Sequence, residues 1–433
     1  MTPTSLAARL GWRRAGLAVA AVAFVALAVQ ALVKPDAEWA QVFVPAARDL
    51  WAGRDFYGPG TLYLYPPFGA LVGLLFAPLP EWAVRLAWYV VDVAAIVALA
   101  VAAWRLSGGG GLAAPSRATR DDWIVVALGA VITTPFAWNT LVHQQADLVI
   151  DALVALGALA VLRRRPLLGG VLIGLGAAFK GPPLLFAVYF LWRRDWRAAL
   201  AVTVTAIGVN LIPDLISPAP EGTWVGLWLT SWVLPATKVT TALGSWGTEL
   251  IYNQSLSGTI QRLANTSLAL RDGGGLRVVA VAEPVATLTL KAITYGLMLA
   301  LALVTLAASL VGDRAAPTRA PGPAPSARAV ELAIVPMLML VFSPMSGLAH
   351  FPVVALPALV LARIAVGERD LAARLAVAVA VVLALAVNKD LVGARAYDAI
   401  LWSGAGTATG LVLWAGCVAV LARGRGSDPA SAA

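Results

Sequence analysis

The stretch Lys34–Pro67, KPDAEWAQVFVPAARDLWAGRDFYGPGTLYLYPP, sets the organisation of this chain, and it follows an apolar run long enough to span a bilayer. Seven aromatic residues surround its four carboxylates, which are Asp36, Glu38, Asp49 and Asp55. Aromatic rings beside acids suit the membrane–water boundary. From Glu38 to Leu50 the apolar residues fall at helical spacing, which predicts a short helix lying on the membrane. The acids either serve a lipid-borne substrate or are solvated loop charges.

The composition is that of a polytopic membrane protein. Hydrophobic residues make up 60% of the chain and charged residues 13%, and a soluble domain of this length does not have such a balance. The first apolar run, 17–33, follows three arginines and is interpreted as a retained anchor with a cytosolic N-terminus. The net charge of +9 reflects arginines in short loops rather than a nucleic-acid partner. A single cysteine, Cys417, excludes a disulfide framework and a Cys-based zinc site.

Apolar segments recur along the whole chain and predict about 12 crossings of the plasma membrane, with both termini cytoplasmic. They lie near 15–33, 66–80, 82–105, 123–141, 146–162, 166–178, 181–193, 197–216, 285–311, 329–344, 351–365, 373–387 and 401–422. The first half contains one segment too many. Either 66–80 does not fully cross, or 166–193 is one helix broken at Gly181-Pro182-Pro183. The positions of the arginines favour the first alternative.

We therefore expect an all-α polytopic membrane protein, with one membrane domain over 1–423 and two outward loops, 34–65 and 217–284. The second loop carries four tryptophans and is expected to form amphipathic helices above the membrane. Stretches 107–116 and 315–326 are rich in Gly, Pro and Ala and predict flexible connectors. The last residues, 424–433, are interpreted as a disordered tail.

Polar residues gather at four places on the predicted outer face, which are the first loop, Asn139–Asp147, Tyr252–Arg262 and Ser343–His350. Both histidines of the chain, His143 and His350, fall at helix ends. Lys180 lies in the sequence FKGPP, where a broken helix would expose it. A lone cation at a helix end is commonly only solvated, but these positions occur together. We find no Gly-rich nucleotide-phosphate loop, so a nucleotide-sugar donor is not indicated.

These motifs resemble those of glycosyltransferase family 87, a family of GT-C-type membrane enzymes that use polyprenyl-phosphate sugars. The resemblance covers about 35–365. It rests on four stretches in the family's order, which are EWAQVF with AAR and GRDFY and YPP in the first loop, GGVLIGLGAAFKGPP, NQSLSGTIQR and SPMSGLAH. The chain departs from the pattern in three places. Glu38 stands where the family usually has Asp, His143–Asp147 (HQQAD) replaces the usual G-Q-x-N, and Gly347 replaces a tryptophan.

The resemblance implies a GT-C-type bundle and an inverting transfer of a sugar, typically mannose, from a polyprenyl phosphate to a lipid or glycan acceptor. It implies neither a metal nor a cofactor. Glu38 aligns with the family's acid and is the expected base, and Asp36, two residues away, is the alternative. The residues expected to bind the donor phosphate are Lys180, Arg262 and His350. Those expected to bind substrate are Asn253, Gln254, Tyr65, His143 and Gln144.

A transporter or flippase for a lipid-linked sugar is the competing interpretation. Asp92 and Asp151 lie within apolar segments, where carboxylates commonly have a functional role. The chain has no repeated half and no matched pair of broken helices, which such transporters often contain. A purely structural membrane subunit would not require acids and cations gathered on one face. Glycosyl transfer is therefore the favoured hypothesis.

Overall fold

The computed structural model describes residues 22, 24–34, 36–110, 118–238, 250–271, 275–314 and 325–423. Connector 107–116 is described only as far as 110, and connector 315–326 only from 325. The predicted tail 424–433 lies outside the described residues. Helices account for most of the described chain.

The helices of the first half begin within the predicted anchor and continue to the second loop. They are α1 (Phe24–Val33), α2 (Val44–Trp51), α3 (Phe68–Gly73), α4 (Glu81–Leu106), α5 (Arg120–His143), α6 (Asp147–Leu162), α7 (Pro166–Phe179), α8 (Leu185–Trp192), α9 (Trp196–Leu211) and α10 (Pro213–Ile216). The remaining helices are α11 (Trp224–Trp228), α12 (Leu234–Thr237), α13 (Leu256–Asn265), α14 (Thr287–Arg314), α15 (Ala327–Phe342), α16 (Ala355–Gly367), α17 (Leu371–Ala386), α18 (Lys389–Val392), α19 (Ala394–Trp402) and α20 (Ala405–Ala422).

Five helices of the described chain are long and apolar enough to span a membrane, namely α4, α5, α14, α20 and the pair α9–α10. Further apolar helices of ten to 17 residues lie among them. The chain is thus a helical, multi-pass membrane protein. The count of about 12 crossings stays a prediction, because several segments are shorter than the ~20 residues of a perpendicular span.

Helices α7 and α9 run in the same direction, which settles how 166–193 is built. A Cβ on Gly170 would lie 2.6 Å from the Ala198 carbonyl oxygen, and one on Gly174 would lie 2.7 Å from the Val202 carbonyl oxygen. Such glycines let helix backbones approach closely in a membrane. Because α7 and α9 are parallel, the helix between them in sequence, α8, runs in the opposite direction. The segment 166–193 therefore forms two antiparallel helices. By contrast, α3 has six residues and is only ~9 Å long, which is shorter than a membrane span. That 66–80 does not fully cross stays a prediction.

Helix α16 occupies the centre of the bundle. All its residues from Ala355 to Ala365 are buried, as expected of a helix that is apolar on every side. It packs antiparallel to α5. Arg363 pairs with Asp122 at 2.6 Å near one end, and near the other the Thr140 hydroxyl donates to the Ala349 carbonyl at 2.7 Å. This packing brings the turn between α5 and α6 beside the segment that precedes α16.

The first loop folds into an aromatic cluster and contacts the second loop. The helix predicted from Glu38 to Leu50 is confirmed as helical, with a π-turn at Trp39–Phe43 followed by α2. Trp39 stacks on Trp88 of α4, with ring centroids 3.4 Å apart. Phe56 stacks on Trp224 of α11 at 4.2 Å. Two loops that are far apart in sequence therefore lie together at one end of the bundle.

One segment of the second loop differs from the predicted helices. Strand β1 (Thr266–Leu270) pairs antiparallel with β2 (Leu276–Ala280). The sequences TSLAL and LRVVA contain β-branched residues at the strand positions, and the Asp-Gly pair between them is a hairpin signal. The expectation of an entirely helical chain is corrected here. Tryptophan content indicated amphipathic structure but does not distinguish a helix from a hairpin.

Candidate active site

A cavity of about 500 Å³ opens at the end of the bundle where α5 meets α6. Its walls are largely apolar and come from α8, α14, α15 and the turn after α11. They include Leu185, Trp228, Trp232, Tyr295, Met298, Met339 and Phe342. The lining also contains polar side chains, at Tyr65, Lys180, Ser343 and His350. The cavity is therefore an apolar cleft that ends at a small polar site.

A buried acid links α8, α14 and α15 at a distance from the cavity. Glu331 of α15 accepts a hydrogen bond from the Tyr189 hydroxyl of α8 at 2.7 Å. Its second oxygen accepts from the Ser309 hydroxyl of α14 at 2.6 Å. The same three helices thus separate around the cleft and join below it.

Lys180 is exposed to the cavity because α7 stops just before it. The residue is extended, with φ −147° and ψ 130°, and Pro182 and Pro183 follow it closely. Proline lacks the N–H that would continue a helix. The Lys180 ammonium lies 2.7 and 3.0 Å from the two carboxylate oxygens of Asp147. It lies 3.0 Å from His350 Nε2. Three segments separated by up to 203 positions thus meet at one ammonium group.

His350 is a neutral side chain at this site. It lies on the 3₁₀ turn Leu348–His350, and burial lowers its pKa to about 4. Its Nδ1 lies 2.8 Å from Gly347 N, whose N–H donates to it, and 3.1 Å from the Gly347 carbonyl oxygen. The first contact belongs to the tautomer with the proton on Nε2, and the second to the tautomer with the proton on Nδ1, in which Nε2 accepts from the Lys180 ammonium. A neutral histidine can hold an amine or a phosphate oxygen without adding charge.

Glu38 is connected to the cavity through Tyr65. The Tyr65 hydroxyl donates to Glu38 Oε1, and the Tyr65 ring lies 5.0 Å from Lys180 Nζ. Glu38 itself does not line the cavity. Burial raises the pKa of the Glu38 carboxyl, while the Lys180 charge and the Tyr65 hydrogen bond oppose that rise. The site therefore contains an acid, a phenol and a cation in sequence from the loop to the cleft.

The motif 253–262 serves as an anchor and does not line the cavity. Asn253 Oδ1 accepts from Ser346 N at 3.3 Å, which holds the loop before His350. Gln254 Nε2 donates to the Leu401 carbonyl at 2.8 Å. Arg262 is fully buried, and its guanidinium donates to backbone carbonyls rather than facing the cleft.

These contacts set the three residues apart from the cavity, and the phosphate-binding and substrate-binding roles expected of them stay predictions. Burial lowers the pKa of Arg262 to about 10, and its N–H groups donate to carbonyls of the chain and to the Thr259 hydroxyl. Asn253 and Gln254 are likewise hydrogen-bonded to backbone groups. Distinctive polar motifs can fasten loops as well as bind ligands, and sequence alone does not separate the two.

The remaining predicted residues lie beside the site rather than in it. Gln144 follows the last residue of α5 and has a φ of 50°. Its side-chain Nε2 donates to the Arg85 carbonyl at 2.8 Å, and its backbone carbonyl accepts from Trp39 N at 3.1 Å. It docks the first loop onto the bundle. His143 Nδ1 lies 2.8 Å from the Asn139 carbonyl oxygen. Asp36 is exposed.

The structure also adds residues to those predicted. Asp147 was identifiable only as an acid within one of the polar stretches, since its partners lie 33 and 203 positions away. Trp228 and Trp232 form part of the cleft wall. Their spacing of four residues places both on one helical face, and this signal was present in the sequence.

Fold and site together define a multi-pass helical membrane protein with a polar site at the end of an apolar cleft. Its sequence matches the model of glycosyltransferase family 87 over residues 63–344, and the chain belongs to that family. The match includes Tyr65, Asp147 and Lys180, whereas Glu38 and His350 lie just outside it.

Three curated relatives share part of the sequence. A polyprenol-phosphate-mannose-dependent alpha-(1-2)-phosphatidylinositol mannoside mannosyltransferase of Mycobacterium tuberculosis is 30% identical over 55% of this chain and 57% of its own. A polyprenol-phosphate-mannose-dependent alpha-(1-2)-phosphatidylinositol pentamannoside mannosyltransferase of Mycolicibacterium smegmatis is 30% identical over 35% of this chain and 39% of its own. A phosphatidylinositol mannoside mannosyltransferase of that organism is 28% identical over 49% of each. The chain thus spans about half the length of these relatives or less.

Proposed function

We propose that this protein is an inverting mannosyltransferase that moves mannose from a polyprenyl-phosphate donor to a lipid acceptor at the outer face of the plasma membrane. The family and the names of the three relatives support the donor and the sugar. Phosphatidylinositol mannosides, the acceptors in those names, are the first acceptors to test. The observation that carries the proposal is the apolar cleft ending at Lys180 and His350, with Tyr65 and Glu38 beside them.

The cleft suits an isoprenoid chain with an anionic head. Its aromatic and aliphatic walls would contact the lipid, while the Lys180 ammonium would hold the phosphate by a charge-assisted hydrogen bond. Negative charge grows on that phosphate as its bond to the sugar breaks. A cation positioned where charge develops stabilises the transition state. His350, in the neutral tautomer with the proton on Nε2, would donate to a phosphate oxygen.

Glu38 is proposed as the base, acting through Tyr65. The acceptor hydroxyl oxygen would attack the anomeric carbon and pass its proton to the Tyr65 oxygen, as the phenol proton moves to Glu38. The bond between the anomeric carbon and the phosphate oxygen breaks, and the phosphate keeps the electron pair. Asp36 is exposed and is not held against a cleft residue. Arg262, Asn253 and Gln254 are proposed to position the 344–346 segment.

Purified protein should be incubated with polyprenyl-phosphate mannose and phosphatidylinositol mannosides, and the products identified by mass spectrometry. We expect one added hexose and release of polyprenyl phosphate. GDP-mannose should not replace the donor. Movement of the donor across a proteoliposome membrane without transfer to any acceptor would contradict the proposal and favour a flippase.

A further inference from the structure

The three N–H groups of an ammonium match the three contacts of Lys180 Nζ in the described chain. Two go to Asp147 and one goes to His350, at 2.7 to 3.0 Å. Both members of the Lys180–Asp147 pair are largely buried, with 12% and 5% of their side chains exposed. The Lys180 ammonium is therefore already surrounded by three partner atoms within 3.0 Å, two of them carboxylate oxygens.

The Asp147 carboxylate holds the position that a phosphate would need. It presents two oxygens to the ammonium from the first turn of α6, where the helix N-terminus favours negative charge. A donor phosphate that reaches Lys180 must displace at least one of these oxygens. A pocket of about 20 Å³ beside Asp147 has room for one water molecule that could solvate the displaced group.

We propose that Asp147 is a built-in competitor of the lipid phosphate, neutralising Lys180 before the donor binds and promoting release of polyprenyl phosphate after transfer. This inference rests on the proposed function. The donor is a phosphodiester with one negative charge, whereas the product is a phosphomonoester that carries up to two above its second pKa of about 6. Repulsion by Asp147 therefore weakens product binding more than donor binding.

An alternative role for Asp147 is to orient Lys180. The structure gives Lys180 two other contacts that restrain it, namely His350 Nε2 at 3.0 Å and the Tyr65 ring at 5.0 Å. Removing the Asp147 charge should thus free the ammonium without releasing the side chain. The two roles predict opposite changes in affinity, because loss of a competitor tightens binding and loss of an orienting group weakens it.

The test is equilibrium binding of a radiolabelled, sugar-free polyprenyl phosphate to the full-length protein in nanodiscs. Asp147→Asn is expected to bind about tenfold or more tightly than the unaltered protein at pH 7.5, since a nearby buried like charge has been removed. The KM for the donor and kcat should both fall, because product leaves slowly. Asp147→Glu keeps the charge and should behave like the unaltered protein. Asp49→Asn, which breaks a surface pair with Arg54, is the matched control.

Equal or weaker binding by Asp147→Asn would overturn the competitor role. If the single substitution Lys180→Met then abolished the binding of polyprenyl phosphate that the unaltered protein shows, the proposed function would stand. Absence of binding in every variant would overturn both proposals.

A second measurement uses the unaltered protein and remains decisive if Asp147→Asn fails to fold. The ligands are polyprenyl phosphate and its methyl phosphodiester, titrated between about pH 5 and 8, across the phosphomonoester's second pKa. Lys180, His350 and Asp151 line the small pocket beside Asp147. Glu38, Tyr65 and Asp92 also interact electrostatically with Asp147, and all these groups act on both ligands. We expect the phosphomonoester to lose affinity relative to the diester as the pH rises. A relative gain would contradict the proposal.

Discussion

Charged groups at the site are held close together with little water, so single substitutions should have large and separable effects. Glu38→Gln keeps the size of the side chain but cannot take a proton. We expect kcat to fall about 10²–10⁴-fold, with little change in the KM for the donor. The measurement is hexose transfer from polyprenyl-phosphate mannose, with Asp49→Asn as a control of unchanged activity. Full activity of Glu38→Gln together with loss in Asp36→Asn would assign the base to Asp36.

The pH dependence of the reaction follows from the raised pKa of Glu38. The base must be ionised, so kcat/KM should fall as the pH drops through a pKa above the ordinary value of 4.5. The pKa of His350 is lowered to about 4, so this residue stays mainly neutral between about pH 4.5 and 8. The relevant measurement is a pH–rate profile between about pH 4.5 and 8. A limb that follows an unshifted carboxyl would contradict burial of the base.

Tyr65→Phe separates the relay from the base itself. Loss of the Tyr65 hydroxyl removes the hydrogen bond that helps to keep Glu38 ionised. The acidic limb of the pH–rate profile should therefore move to higher pH. The substitution also removes the phenol from the proposed proton path, and kcat should fall by about tenfold or more. An unchanged limb and rate would show that the phenol neither transfers the proton nor affects the carboxyl.

At the level of helices, glycines determine how closely α7 and α9 pack. Gly170→Ala would place a methyl group 2.6 Å from the Ala198 carbonyl oxygen and 2.6 Å from Ala201 Cβ. The helices must then separate, which should destabilise the fold by about 1–3 kcal/mol. Gly208→Ala on α9 is the matched control, since its new methyl group would meet no atom within 4 Å. Thermal unfolding in detergent should separate the two variants, and equal stability would contradict the packing argument.

At the level of the bundle, the arrangement of its ends predicts a labelling pattern. Trp51→Cys and Leu215→Cys place thiols at exposed positions near the site, and Arg165→Cys places one in the α6–α7 turn at the other end. The native Cys417 is buried, so background labelling should be low. An impermeant maleimide should label the first two in intact cells and Arg165→Cys only after permeabilisation. The reverse pattern would contradict an outward-facing site.

Local sequence patterns were sufficient for the helical membrane class and for the short loop helix after Glu38. They also placed Lys180 and His350 in the same site. These features depend on hydropathy, on helix-breaking prolines and on the distribution of arginines, all of which act over a few residues. The hairpin at 266–280 was missed because its signal competed with the expectation of amphipathic helices.

Side-chain partners depended on packing between distant segments. Arg262 and Lys180 both stood in distinctive motifs, yet the first donates to backbone carbonyls and only the second faces the cleft. Asp147 acquired its role because close contact between α6 and α7 brings it to Lys180. The physical reason is that hydropathy and helix-breaking residues within a short stretch determine burial and helix ends. The direction of a buried polar side chain depends instead on which unsatisfied group the folded chain places beside it.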